Sequence, residues 1–349
     1  MNPVDFSPYR CPATREALVF EAQIPPALGG DGPSGLLRSR AGLEFPVVGG
    51  VPDFTHPKQL RGSDLRAKAE YDRHADEVYN NFLDWLFRFF YEDEDAFRGR
   101  MIDLLNLRDD SRVLEISCGT GRDTVRIAHR LKANGVVYTQ DLSGRMVLKC
   151  KELVGQTPLD AGAAVKFFVG NAAFLPFPDR VFDAVYHFGG INEFAEKQRA
   201  FEEMSRVVRV GGKVVVGDES MAPWLRDKEY GKMLINNNKV WANDLPLALL
   251  PENSRKVCLR WVLGNAFYLI DYEVGEGLPE VNLDLPHQGK RGGTCRTRYF
   301  GQLEGVTPEA KRLAQQAVDS LGVSMHEWLD RVVREQAESV IGSVKTGRP

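Results

Sequence analysis

The sequence predicts an α/β fold built on a doubly wound, largely parallel sheet, and three observations carry that prediction. Val113-Leu114-Glu115-Ile116 is a β-branched and aliphatic run that ends in small residues, Ser117 to Gly121, and gives way to helical spacing from Arg122, which reads as strand, tight turn, helix. A second such strand, Gly135 to Gln140, closes on Asp141, 20 residues after Gly121. Further strand-length apolar runs follow at 165–169, 181–185 and 213–217, with a helical stretch near 196–208 between the last two.

Length and composition bound the rest. At 349 residues the chain suits one principal domain of about 200 residues with smaller additions. A formal charge of -3 argues against a broad nucleic-acid footprint. Cys11, Cys118, Cys150, Cys258 and Cys295 are scattered and form no C-x-x-C pair, so neither a disulfide framework nor a four-ligand zinc site is expected, and no metal is assigned. The start is not signal-like, and no apolar run approaches the roughly 20 residues of a membrane helix; the aromatic stretch at 82–91 is broken by Asp84 and Arg88. A cytoplasmic protein without a membrane span is expected.

The turn at 117–121 is built for a ligand. Gly119 and Gly121 let the backbone pass close to a bound group, and the amides opening the next helix form a positively polarised end suited to a carboxylate. A dinucleotide site also uses a glycine-rich turn, but Glu115 would repel a pyrophosphate, whereas it can pair with an ammonium, and Ser117 stands where the dinucleotide fingerprint has its first glycine. The run from Glu115 to Gly121 resembles the first motif of class I S-adenosylmethionine-dependent methyltransferases, departing from it at Ser117. Asp141 is placed to accept both ribose hydroxyls of a nucleoside, a device that a dehydrogenase shares. Asp141-Leu142-Ser143-Gly144-Arg145-Met146 resembles the second methyltransferase motif, which puts Leu142 and Met146 beside the adenine; their other role is helix-to-sheet packing. The stretch 170–185 resembles that of ubiquinone-type small-molecule methyltransferases, with Asn171 at the adenine amino group.

The resemblance implies a seven-stranded sheet, S-adenosylmethionine as cofactor, S-adenosylhomocysteine as product, and a small-molecule acceptor attacked in line with the departing sulfur. The expected donor set is Glu115, Ser117, Cys118, Gly119, Thr120, Gly121, Asp141, Leu142, Met146, Asn171, Ala172, His187 and Phe188. His187 leaves the fourth strand and is the candidate general base, or else bonds the sheet edge or lends only its carbonyl. Asn192 and Glu193 follow it as substrate candidates, joined by Tyr71 and Tyr79 from helices ahead of the first motif. Asp218 and Glu219, ending the fifth strand, either meet the acceptor or are solvated.

Three segments are expected. Residues 1–60 form a small β-rich module resembling a zinc ribbon that keeps only Cys11, or a flap packing on the main domain. Residues 61–303 hold the methyltransferase domain. Its lid helices carry the stripe Phe82, Leu83, Trp85, Leu86, Phe89, Phe90, read mostly as core, and its closing strands lie at 257–275 and 294–303. Residues 304–349 carry two helices and a tail that is expected to be disordered from Gly342. With a strand at Arg296–Phe300 these helices resemble a ribbon-helix-helix unit, which implies a homodimer; the alternative is a helical hairpin packed on the main domain. Three other functions stay open: tRNA or rRNA methylation, a DNA-binding regulator that senses S-adenosylmethionine, and a methyltransferase-like scaffold that only binds a partner.

Overall fold

The structure, a computed structural model, describes residues 4–22, 32–74, 77–159, 163–288, 293–300 and 306–346. They fall into two compact units, Met1–Pro279 and Glu280–Pro349.

The first unit opens with a four-stranded antiparallel sheet, β1 (Val19–Ala22), β2 (Gly35–Arg38), β3 (Glu44–Val48) and β4 (Val51–Pro52). Three helices follow, α1 (Gly62–His74), α2 (Glu77–Phe89) and α3 (Glu94–Asp103). Strands and helices then alternate through β5 (Arg112–Ile116), α4 (Arg122–His129), β6 (Val136–Asp141), α5 (Gly144–Gln156), β7 (Ala164–Val169), β8 (Phe182–Phe188), α6 (Lys197–Val207) and β9 (Val208–Glu219). A short helix α7 (Glu229–Asn237) precedes the hairpin β10 (Ser254–Val262) and β11 (Phe267–Val274). The seven-stranded sheet runs β10-β11-β9-β8-β5-β6-β7; the five strands from β9 to β7 are parallel, and β11 is antiparallel to both its neighbours. Strand order reverses between β5 and β8, so the crevice of this sheet opens at their carboxyl ends.

Continuous apolar strands such as Val113-Leu114 and Val214-Val215-Val216 are wholly buried because helices cover both faces. The small sheet has no separate core. Tyr9 packs against Phe54, Phe168 and Phe177, with ring centroids 4.9, 5.8 and 5.3 Å apart, and the Phe54 N–H donates to the Val169 carbonyl at 2.8 Å. Cys11 is fully buried in the same shared core.

Two expectations are corrected. Residues 295–300 do not form a strand; Cys295–Phe300 is helical (α8). The Thr294 hydroxyl accepts the Thr297 N–H at 3.1 Å and the Thr294 carbonyl accepts the Arg298 N–H at 2.9 Å, which starts a helix, while the β10–β11 hairpin has already closed the edge of β9. The aromatic stripe of α2 is only partly core: Leu86 is buried, yet Phe82, Trp85 and Phe89 are exposed and stack on one another.

In the second unit, α9 (Pro308–Leu321) begins at a Thr307 cap and ends at Gly322 in the left-handed region, and α10 (Met325–Thr346) begins with Ser324 and Glu327 capping each other. Ala314, Val318 and Met325 make its small core. Because α8 replaces the expected ribbon, the ribbon-helix-helix resemblance and the DNA-sensing reading built on it lose their strand. The segment Gly342–Thr346, expected to be disordered, continues α10; 347–349 and the expected strand end at 301–303 lie outside the described residues.

Candidate active site

The turn after β5 is tightly built. Ser117 adopts φ 57°, Gly119 φ 52° and Gly121 φ 95°, so the chain enters the left-handed region three times within five residues. At Gly121 a side chain is also sterically barred, since a Cβ there would lie 2.8 Å from the Cys150 Sγ. Ser117 occupies the conformation that glycine would take more cheaply. The Gly119 N–H donates to one Asp141 carboxylate oxygen at 3.1 Å and the Ser143 N–H to the other at 2.9 Å, which ties the β5 turn to the end of β6. Burial raises the Asp141 carboxyl to about 6 against the lowering effect of these two N–H donors.

A cavity lies over these turns. Ser117, Cys118, Gly119, Thr120, Asp141, Leu142, Met146 and Phe188 line it, as do the substrate candidates Tyr71, Tyr79, Asn192 and Glu193. Helix α1 presents Asp64, Ala67, Lys68 and Tyr71 to it, and α2 presents Tyr79, Phe82, Leu83 and Leu86, each set at i, i+3, i+4, i+7 spacing. The first helix is fastened at both ends. Asp64 accepts from Asn171 Nδ2 at 3.1 Å and from the Ala195 N–H at 2.8 Å; at the other end Asp72 accepts from Ser143 Oγ at 2.5 Å.

Five expected donor residues stand elsewhere. The Glu115 carboxylate does not reach the cavity. It accepts from the hydroxyls of Thr124 at 2.5 Å and Thr139 at 2.8 Å, and the residue is 2% exposed, because an inward-facing acid on a strand covered on both faces must find partners inside. Gly121 serves the turn from beneath. Asn171 is spent on Asp64 and on the Ala173 N–H, at 3.0 Å, and Ala172 is buried beside it. His187 is fully buried outside the cavity lining. A carbonyl can only accept, so its Nδ1 carries the proton and donates to Ile116 O at 3.1 Å, while burial lowers its pKa. A general base there has no access to an acceptor.

Two residues missed by sequence reasoning line the cavity, which Glu115 does not. Arg98 of α3 and Asp123 of α4 both line the cavity and are buried; Arg98 Nη1 donates to Asp123 Oδ2 at 2.6 Å, and the Tyr186 hydroxyl adds a bond at 3.1 Å. Asp123 Oδ1 is buried without a partner among the described residues. An orphaned carboxylate oxygen beside a buried guanidinium, both facing a cavity, suits a ligand that carries an ammonium and a carboxylate together. The signal was present: Arg98 shares the buried helical face of Phe97, Met101 and Ile102, where an arginine needs a reason.

Residues 83–230 match the ubiE/COQ5 methyltransferase family. A demethylmenaquinone methyltransferase of Bacillus cytotoxicus is 33% identical over 120 residues, covering 34% of this chain and 49% of that protein. A 27-O-demethylrifamycin SV methyltransferase of Amycolatopsis mediterranei is 28% identical over 162 residues, 44% of this chain and 58% of that one. Among solved structures, an S-adenosylmethionine-dependent methyltransferase from Aquifex aeolicus aligns with 51% of this chain and 89% of its own at 18% identity and a TM-score of 0.37. The chain spans about half the length of the first curated relatives it matches.

Proposed function

We propose that this chain transfers the methyl group of S-adenosylmethionine to a small-molecule acceptor. The observation that carries the reading is the joint lining of one cavity by the Ser117–Thr120 turn, Asp141 and the Arg98–Asp123 pair. In this reading Asp141 accepts the ribose hydroxyls, Leu142 and Met146 flank the adenine, and the turn amides approach the methionyl part. Arg98 holds its carboxylate and Asp123 Oδ1 its ammonium, the role first given to Glu115. Phe188 and Tyr79 close the cavity against water. The donor is already activated, so alignment of the two reactants in a dry pocket supplies most of the acceleration.

Aromatic walls and the absence of a basic stripe in the sequence favour a small acceptor over RNA. A homodimer through the second unit is a separate proposal, supported by Val333, Val340 and Ile341 exposed along α10. Light scattering of the full chain tests it, and a monomer at micromolar concentration rejects it. The methyl-donor reading is tested by calorimetry: S-adenosylmethionine and S-adenosylhomocysteine should both bind, with Asp123→Asn weakening both. Absence of binding by either compound rejects the reading.

A further inference from the structure

Two carboxylates face the cavity that no donor contact explains: Glu193, on the turn after β8, and Glu219, at the carboxyl end of β9. Asp218, next to Glu219, is fully engaged. It accepts from the N–H groups of Gly190 at 3.2 Å, Asn192 at 2.6 Å and Glu219 at 2.9 Å, so it fixes the turn that presents Asn192 and Glu193. Asn192 Nδ2 in turn donates to the Glu219 carbonyl at 2.8 Å. Tyr71 and Glu193 line the cavity together, and Tyr71 lies close enough to act on the Glu193 carboxyl. The titratable groups facing Glu219 are therefore Asp218 on its own strand, Glu193 from the turn, Tyr71 from α1 and Tyr268 from β11. None of them is a cation. The cations that do line the cavity are committed elsewhere: Lys68 to Asp72, Arg98 to Asp123, Arg122 to Glu94 and Asp84.

A donor with its ribose on Asp141 at the end of β6 and its amino-acid end on Arg98–Asp123 carries its sulfur between them, above β5 and β8. Strand β9 is the next neighbour. We propose that Glu219 receives the proton the acceptor loses, and that the charge on the donor sulfur sets when it can. This rests on the methyl-donor reading above.

Burial and the neighbouring Asp218 push the Glu219 carboxyl well above the usual range, so the empty site favours its protonated form. A sulfonium cation arriving beside it favours the carboxylate, and the proton leaves to solvent. During transfer the acceptor's lone pair forms the new bond to the methyl carbon, and the carbon–sulfur pair stays on sulfur as a neutral thioether. The acceptor's own O–H bond breaks and its proton passes to Glu219, whose compensating cation has just vanished. The base is weakest before transfer and strongest after it. The substrate class that fits is a flat, mostly apolar molecule carrying an ionisable hydroxyl, its ring against Tyr71, Phe188, Phe194 and Phe267.

The test is proton-linked calorimetry on the full chain near pH 7, with S-adenosylmethionine and S-adenosylhomocysteine each titrated in two buffers of different ionisation enthalpy. Both compounds carry the ribose and the amino-acid end, so Asp141 and Asp123 respond equally to them; only the first carries the sulfonium. The expected result is greater proton release by S-adenosylmethionine in the native protein. In Glu219→Gln the difference disappears, while S-adenosylhomocysteine affinity changes by less than about twofold. Equal release in the native protein overturns the proposal without any variant having to fold. A difference that survives Glu219→Gln and disappears in Glu193→Gln overturns it as well. If neither compound binds, the methyl-donor reading itself fails and this proposal falls with it.

Discussion

Single side chains decide what this cavity can hold. Asp141 has to be ionised to accept two hydroxyl hydrogens, and burial lifts it to about 6. Affinity for S-adenosylhomocysteine, which carries no sulfonium, should therefore be flat just above that pH and fall about tenfold per pH unit below it, as a titration of the dissociation constant would show. The sign for stability is the opposite one. A buried acid whose value in the folded chain exceeds the ordinary 3.8 favours the fold at low pH, and that contribution is lost as pH rises from 3.8 to about 6. The Arg98–Asp123 pair carries a different risk. Arg98→Met leaves Asp123 buried without its counter-charge and should cost about 3–5 kcal/mol in urea denaturation, whereas Asp123→Asn should chiefly weaken donor binding. Ser117→Gly should be neutral or gain up to about 1 kcal/mol, because the residue already sits at φ 57°. A measured loss of stability would show that the Ser117 side chain has a role of its own.

At the scale of elements, strands and turns were legible in the sequence because their signals are local. The run 113–116, the acid closing β6 and the glycines beside it state their geometry within a few residues, and the β10–β11 hairpin, Ser254 to Val274, overlaps the span 257–275 read as sheet. What was not legible depends on what packs where. Glu115 reads as a ligand contact until β6 and α4 bring Thr139 and Thr124 to it. Arg98 and Asp123 lie 25 residues apart on two helices, and only the folded chain makes them a pair. Segment 295–300 alternates well enough for a strand, but β11 is already paired with both β9 and β10. Helix α1 adds a prediction of its own. Its Asp64 bonds hold the amide of Asn171, the group expected at the adenine, so Asp64→Ala should raise hydrogen exchange along α1 and speed donor association in stopped flow.

Across the whole molecule, the described residues that line the cavity all belong to Met1–Pro279. A chain ending at Pro279 should therefore keep the donor affinity of the full protein, measured by calorimetry, whatever role the second unit plays in assembly. The other terminus behaves differently. The family match begins only at residue 83, which invites trimming of everything before it. Yet Tyr9, Phe45 and Phe54 fill the same oily seam as Tyr138, Phe168 and Phe177 beneath β6 and β7. Cutting at the family boundary would strip that seam bare and leave a sticky aromatic wound on the outer strands, so the shortened protein should accumulate in inclusion bodies. A segment that looks like ornament in an alignment is here part of the wall.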